Sequence, residues 1–443
     1  MSCIKGVYTV FYMPIAPRWN AATPIADEQV VVCRSPDPQQ VFCYSPGLCR
    51  LSSGRLIATS DWGGPGVGQL AGDKAEHIEG VRWWQGRIFL SDDHGTTWRA
   101  GGTFPFLHAR PFAAGGALYI LGHAGDLIIM RSDDDGETWG RPVRLTQGQA
   151  WHQAPCVTLE ANGCVYLVME KRIGRQCTTW PVSEMAPVLM RGRLGDDLTL
   201  AANWTFSGEL SFRAALAMVG EADGFGMPFF DAPFPHGCEP VPGRGCAPMG
   251  WLEANVVRVT DPDHVWFDPA GRTLHLLMRA HTGGTGYGCL LKMVEDAPGS
   301  GAITPMLEQV PSGRRMLWLP IPGGQMKFHV VQDARTGLYW QLSTVATRSM
   351  TRIDRLPADR YNLPNNERRL LQLQVSDNLV DWRFAGLVAA GATERESRHY
   401  ASLVIDGDDL IALSRSGDAA AMSPHNVNLI TSHRIRDFRA LAW

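Results

Sequence analysis

The chain carries little charge: Asp, Glu, Lys and Arg make up 19% of its 443 residues, and the net charge is −3. Nothing in that balance calls for nucleic acid or an anionic membrane surface as a partner. It also has no apolar run of the roughly 18 residues that a membrane-spanning helix needs. The N-terminal stretch MSCIKGVYTVFYMPIAPRWN lacks the unbroken apolar core and small-residue cleavage site of a secretory signal, so a cytoplasmic location is expected. The ten cysteines are scattered, with no C-x-x-C pair, and no H-E-x-x-H occurs. A sequence-local zinc site is therefore disfavoured, and free thiols are expected. No nucleotide-cofactor fingerprint is found either, so neither cofactor nor metal is expected.

What the chain does have is apolar content of 45%, ample for a large core, and a repeated octapeptide. Ser91 to Trp98 reads SDDHGTTW and Ser132 to Trp139 reads SDDDGETW, each after a short apolar run. Such a run is strand-like, and the octapeptide supplies a tight turn after it. The Asp can fold its carboxylate onto backbone N–H groups, the Gly can take positive φ, and the Trp can pack as a plug between sheets. Two copies about 41 residues apart indicate one supersecondary unit repeated at the period of propeller blades. The pattern resembles the Asp-box, or bacterial neuraminidase repeat, of the sialidase superfamily. In that family the box lies on the face away from the active site, which puts Trp98 and Trp139 as buried plugs on the non-catalytic face.

Strand, Gly or Asp turn, strand: six such pairs can be traced. They turn at Ser53 and Gly54, at Gly115 and Gly116, at Asn162 and Gly163, within Val265 to Arg279 around Gly271, between Val331 and Leu338, and at Asp406 to Asp408. Ser376 to Trp382 reads as a degenerate third box. The expected fold is all-β, a six-bladed propeller of four-stranded antiparallel sheets filling residues 1–443 as one domain. Long inserted loops fall near 62–82, 205–250 and 345–366, the second with little regular structure, and such loops commonly wall binding sites.

In the propellers this chain resembles, first strands start and second strands end on the active face near the axis. The resemblance implies a nucleophile at Tyr400 in HYASLVIDG, an activating carboxylate at Glu253 in WLEANVV, and an acid/base at Asp61 after the second strand of blade one. It also implies clamps for a substrate carboxylate at Arg279 and at Arg368 or Arg369. Where the family opens blade one with Arg-Ile-Pro, this chain has Tyr44, Ser45 and Pro46, so that clamp Arg is absent. Position alone adds His108, His123, His152, Glu170, Lys171, Arg348, His399 and Arg415 as substrate-binding candidates. The chemistry is coherent: a phenol with a pKa near 10 needs a nearby base to become a nucleophile, and Arg forks hold a carboxylate bidentately.

Three functions stay open at this point. One is an exo-acting, sialidase-like glycoside hydrolase removing a terminal acidic sugar. Another is a lyase that acts on uronates through His108, His123 and His152, as propeller polysaccharide lyases do. The third is a carbohydrate-binding propeller with Trp62, Trp83, Trp84 and Trp151 as a stacking platform. In each case the expected partner is an oligosaccharide or glycoside.

Overall fold

Short β-branched and apolar runs separated by Gly and Asp turns fold into antiparallel hairpins, because neither face of so short a strand can be buried except against another sheet. The computed structural model describes residues 22–78, 80–219, 232–356 and 366–443. Six antiparallel sheets, each with a path of four strands, form a six-bladed β-propeller. The first two strands of each blade carry the argument below. They are Gly47–Arg50 and Leu56–Gly63 in blade 1, Leu107–Ala114 and Ala117–Ala124 in blade 2, and Leu159–Ala161 and Cys164–Arg172 in blade 3. Blade 4 has Gly250–Val257 and Thr273–His281, blade 5 His329–Gln332 and Tyr339–Thr344, and blade 6 Arg398–Asp406 and Asp409–Ser416. Innermost strands of adjoining blades pack on one another around the axis. The ring closes through Val30–Arg34, which pairs with Leu429–Ile435 as the outermost strand of blade 6. Sheet edges, which would otherwise template pairing with other chains, are thereby shortened and covered.

The repeated octapeptides close as turns in the way their residues dictate. Gly95 and Gly136 sit at φ +82° and +88°. The Gly95 N–H donates to Ser91 Oγ at 2.9 Å, the Thr97 N–H to Asp93 Oδ1 at 2.8 Å, and Trp98 Nε1 to Gly95 O at 3.1 Å. The second copy repeats each bond. In the degenerate copy Asn378 replaces the Asp and Leu379 the Gly, yet Leu379 takes φ +66° and Trp382 Nε1 still donates to Leu379 O at 3.1 Å. Trp98 and Trp139 are half-buried at the edge of the inter-blade core, not fully buried as expected, because one face of each ring covers the turn. Trp98→Ala should accordingly destabilise by about 2 kcal/mol, below the range for a fully buried Trp. A thermal midpoint unchanged from wild type would remove the plug role.

Two expectations need correction. The first strand of the blade 4 hairpin is Gly250–Val257, not a run beginning at Val265. Val265 is 78% exposed, while Trp266 is held in a loop between His264 and His275. Residues 205–219 and 232–250 are also more regular than expected. They include helix Phe212–Val219, where the Ala214 N–H donates to Ser211 Oγ at 3.3 Å and Phe212 packs edge-on against Trp251. They include the hairpin Cys238–Val241 with Arg244–Cys246 as well. Within 62–82 the strand Ala75–Ile78 pairs with Val81–Ser91, and 345–366 holds a short 3-10 turn at Ile353–Arg355. The nine described cysteines are free.

Two of the depressed carboxyls illustrate the acid sensitivity expected of the fold. Hydrogen bonds from the Thr138 hydroxyl and N–H hold Asp134 down to about 2, and Arg439 holds Asp333 down to about 2. Both folded-state values lie below the unfolded value near 3.9, so their stabilisation is present above about pH 4 and is lost as pH falls toward 2. The thermal midpoint should drop across that window, and Asp333→Asn should flatten the drop. An equally steep fall in that variant would assign the acid sensitivity elsewhere.

Candidate active site

The innermost strands of blades 2, 4 and 6 share a defect at their axial ends. Each has a β-bulge, between Leu107 and Arg110, Leu252 and Asn255, and His399 and Ser402. Within these bulges His108, Glu253 and Tyr400 take left-handed φ values of +54°, +61° and +50°. That conformation costs a residue with a side chain of order 1 kcal/mol or more, and bulges re-aim the side chains they carry. All three side chains line one cavity of about 700 Å³ at the propeller axis.

Tyr400 is 9% exposed and sits between two groups of opposite function. Arg279 Nη1 donates to its phenol oxygen at 2.8 Å, and the phenol in turn bonds Glu253. Arg279 Nη1 lies 3.5 Å from Glu253 Oε2, and its Nε donates to Gln325 O at 2.8 Å. Burial, with the Glu253 charge, pushes the Tyr400 phenol up well beyond its ordinary range. The resting phenol is thus protonated, with its acceptor already in place.

Guanidinium groups from three successive blades converge on this wall. Besides Arg279, Arg368 lies 5.6 Å from the Tyr400 ring centre and Arg415 5.3 Å. Arg368 is fixed by His399 Nδ1 at 2.8 Å and Asn366 Oδ1 at 3.0 Å, and Arg415 by the His425 carbonyl. Arg415 also stacks 4.3 Å above the Tyr44 ring, the residue that stands where the family pattern has its first Arg. A third cation therefore reaches the axis from blade 6 instead of from blade 1.

A histidine cluster adjoins the same cavity. His108 Nδ1 and His123 Nε2 are 2.9 Å apart, and the His152 ring centre lies 4.6 Å from that of His108. Burial, reinforced by the neighbouring imidazoles, pushes His108 and His123 well below the usual imidazole range, which keeps both neutral. Trp180 and His281 meet edge to face at 5.2 Å, and the Cys238–Val241 hairpin adds Cys238 and Glu239 to the wall. Among the described residues no group of three or more His, Cys, Asp or Glu is arranged to hold a metal, and no helix is long and apolar enough to cross a membrane.

Of the residues expected from sequence, Glu253, Tyr400, Arg279, Arg368, Arg415, His108 and His152 line the cavity. The others lie outside that lining. Asp61 is 1% exposed and its Oδ1 accepts from the His108 N–H at 2.9 Å. Glu170 is fully buried and accepts from the Glu253 N–H at 2.7 Å. His123 and His399 stand behind His108 and Arg368. Arg369 turns outward to Gly391 O, Lys171 pairs with Glu209 at 2.6 Å beside Trp151, and Arg348 is exposed near Glu394. The four-Trp platform does not form. Trp84 lines the cavity, but Trp62 is buried under Arg87 and Trp151 packs under Lys171. Trp180, Asn366, His425 and the Cys238 hairpin were missed, because they sit on connections whose sequence shows no periodicity.

No family model matches this chain, and no curated protein matches it. Solved structures do. A crystal structure of a protein of unknown function from Dyadobacter fermentans is 12% identical, with a TM-score of 0.52, covering 92% of this chain and 98% of that one. A NanB sialidase from Streptococcus pneumoniae is 10% identical, with a TM-score of 0.51, over 93% of this chain and 71% of that one. The Hadza microbial sialidase Hz136 is 15% identical, with a TM-score of 0.50, over 91% and 68%. At such identities the likeness establishes a shared fold: the chain is a sialidase-like six-bladed propeller.

Proposed function

We propose that this chain is a glycoside hydrolase that removes a terminal, carboxylate-bearing sugar, an atypical member of the sialidase superfamily with Tyr400 as nucleophile. The observation that carries this reading is the phenol of Tyr400 held between a donor, Arg279, and an acceptor, Glu253, on the wall of the axial cavity. Glu253 takes the phenol proton as the oxygen attacks the anomeric carbon, and the glycosidic bond breaks as the leaving oxygen departs with its bonding electrons and takes a proton from solvent. Arg279 stabilises the charge developing on the phenol oxygen. Water then attacks the same carbon and passes a proton to solvent, the bond from that carbon to the Tyr400 oxygen breaks to release the sugar, and Glu253 returns its proton to the phenol oxygen. Arg279, Arg368 and Arg415 present guanidinium forks suited to a carboxylate on that sugar. Aryl glycosides are the substrates to screen first, since an activated leaving group needs little protonation.

A second reading, elimination from a uronate with His108 as base, draws support from the neutral imidazole that burial enforces. One assay separates the two: aryl glycosides and acidic oligosaccharides, read for new reducing ends and for absorbance of a C4–C5 double bond. The hydrolase reading predicts reducing ends without the absorbance. Unsaturated product would overturn it in favour of the lyase.

A further inference from the structure

The three left-handed bulges do not hold themselves. Each bulge peptide is bonded by a buried charged side chain from the preceding blade. Asp61, near the end of the second strand of blade 1, accepts from the N–H of His108 in blade 2 at 2.9 Å. Glu170, near the end of the second strand of blade 3, accepts from the N–H groups of Glu253 and Ala254 in blade 4 at 2.7 and 3.2 Å. Lys327, just ahead of the first strand of blade 5, donates to the carbonyl of Ala401, beside Tyr400 in blade 6, at 2.5 Å. Gln153 adds a bond from its Nε2 to Ala254 O at 2.9 Å, so the peptides on both sides of Ala254 are held. Odd blades supply the holders and even blades the presented side chains.

We propose that Asp61, Glu170 and Lys327 are positioning residues that fix the strained bulges carrying His108, Glu253 and Tyr400, and that none of the three touches substrate. Their burial agrees, at 1%, 0% and 1% exposure, as does their place outside the cavity lining. For Asp61 this replaces the acid/base role that the family resemblance implies. The same bonds explain how a backbone conformation unfavourable to Glu and Tyr persists without glycine. A carboxylate accepting backbone N–H bonds in a buried site is a strong, directional anchor. What the bulges present rests on the glycosidase reading, whereas the bonds that hold them do not.

The test uses isosteres. Asp61→Asn and Glu170→Gln keep an acceptor oxygen in place and remove the titratable proton, while Asp61→Ala and Glu170→Ala remove the anchor. With aryl glycosides of good and poor leaving groups, Asp61→Asn and Glu170→Gln should retain most of kcat with the wild-type pH profile. The alanine variants should lose about a hundredfold in kcat with KM little changed, the scale of a misplacement near 1 Å. If a folded Asp61→Asn or Glu170→Gln is as inactive as its alanine counterpart, the carboxyl group takes part in proton transfer and the proposal is wrong. Fully active alanine variants overturn it as well. Should the wild type turn over no glycoside, the glycosidase reading fails and the anchor is still read by amide hydrogen exchange across residues 250–257. That exchange should be faster in Glu170→Ala than in Glu170→Gln, and equal rates would sink the anchoring role.

Discussion

Tyr400→Phe should lower kcat by about 10⁴-fold while leaving KM within a few-fold, as expected when a nucleophile is removed from an otherwise intact pocket. The substitution deletes one oxygen. It takes away the Arg279 bond at 2.8 Å and the bond to Glu253 but leaves the ring, the bulge and the cavity wall. The stability loss should stay near 1 kcal/mol, the net worth of a buried hydrogen bond, so a folded and binding-competent variant is expected. Glu253→Gln should fall in the same direction by about 10²–10⁴-fold, because the protonated phenol then loses its base. If Tyr400→Phe keeps wild-type kcat, the cavity uses a different nucleophile or none.

Charge selectivity should be nearly as large. A substrate whose terminal sugar carries a carboxylate should exceed its methyl ester by about 10³-fold in kcat/KM, since the ester gives up the charge-assisted pairing of a carboxylate with buried guanidinium groups. Arg368→Met and Arg415→Met should each erase most of that preference and act chiefly through the acidic substrate, leaving the ester little affected. Arg415 is the sharper case, because it reaches the site from blade 6 above Tyr44. Equal rates on acid and ester in the wild type would make the sugar neutral and the guanidinium cluster structural.

How much of this was legible in the sequence depends on the range of the forces involved. The turn at Ser91 to Trp98 could be read outright, because its bonds join residues two to four apart and repeat in the second copy. Even Leu379 at a positive φ follows once Ser376, Asn378 and Trp382 are aligned with it. Arg368 and Arg369 could not be told apart from composition. The two-residue alternation of the strand that follows decides between them, sending Arg368 to the axis and Arg369 to Gly391. Val265 to Phe267 imitated a strand because its apolar residues are adjacent, while the real inner strand hid behind the bulge at Glu253. Asp61 and Glu170 were placed correctly along the chain at strand ends, yet their bonds go to His108 and Glu253, partners 47 and 83 residues away that no local pattern reveals. The Cys238–Val241 hairpin lies in a Gly- and Pro-rich stretch whose composition reads as irregular.

The most direct test of the account is to trap the covalent sugar. A fluorinated glycosyl fluoride of an acidic sugar that the enzyme turns over, mixed with the wild type and analysed by peptide mass mapping, should leave one glycosyl adduct on the peptide containing Tyr400, and none on Tyr400→Phe. An adduct on Glu253 or another carboxylate, or turnover giving an unsaturated sugar with no adduct at all, would contradict a tyrosine nucleophile at the axis of this propeller.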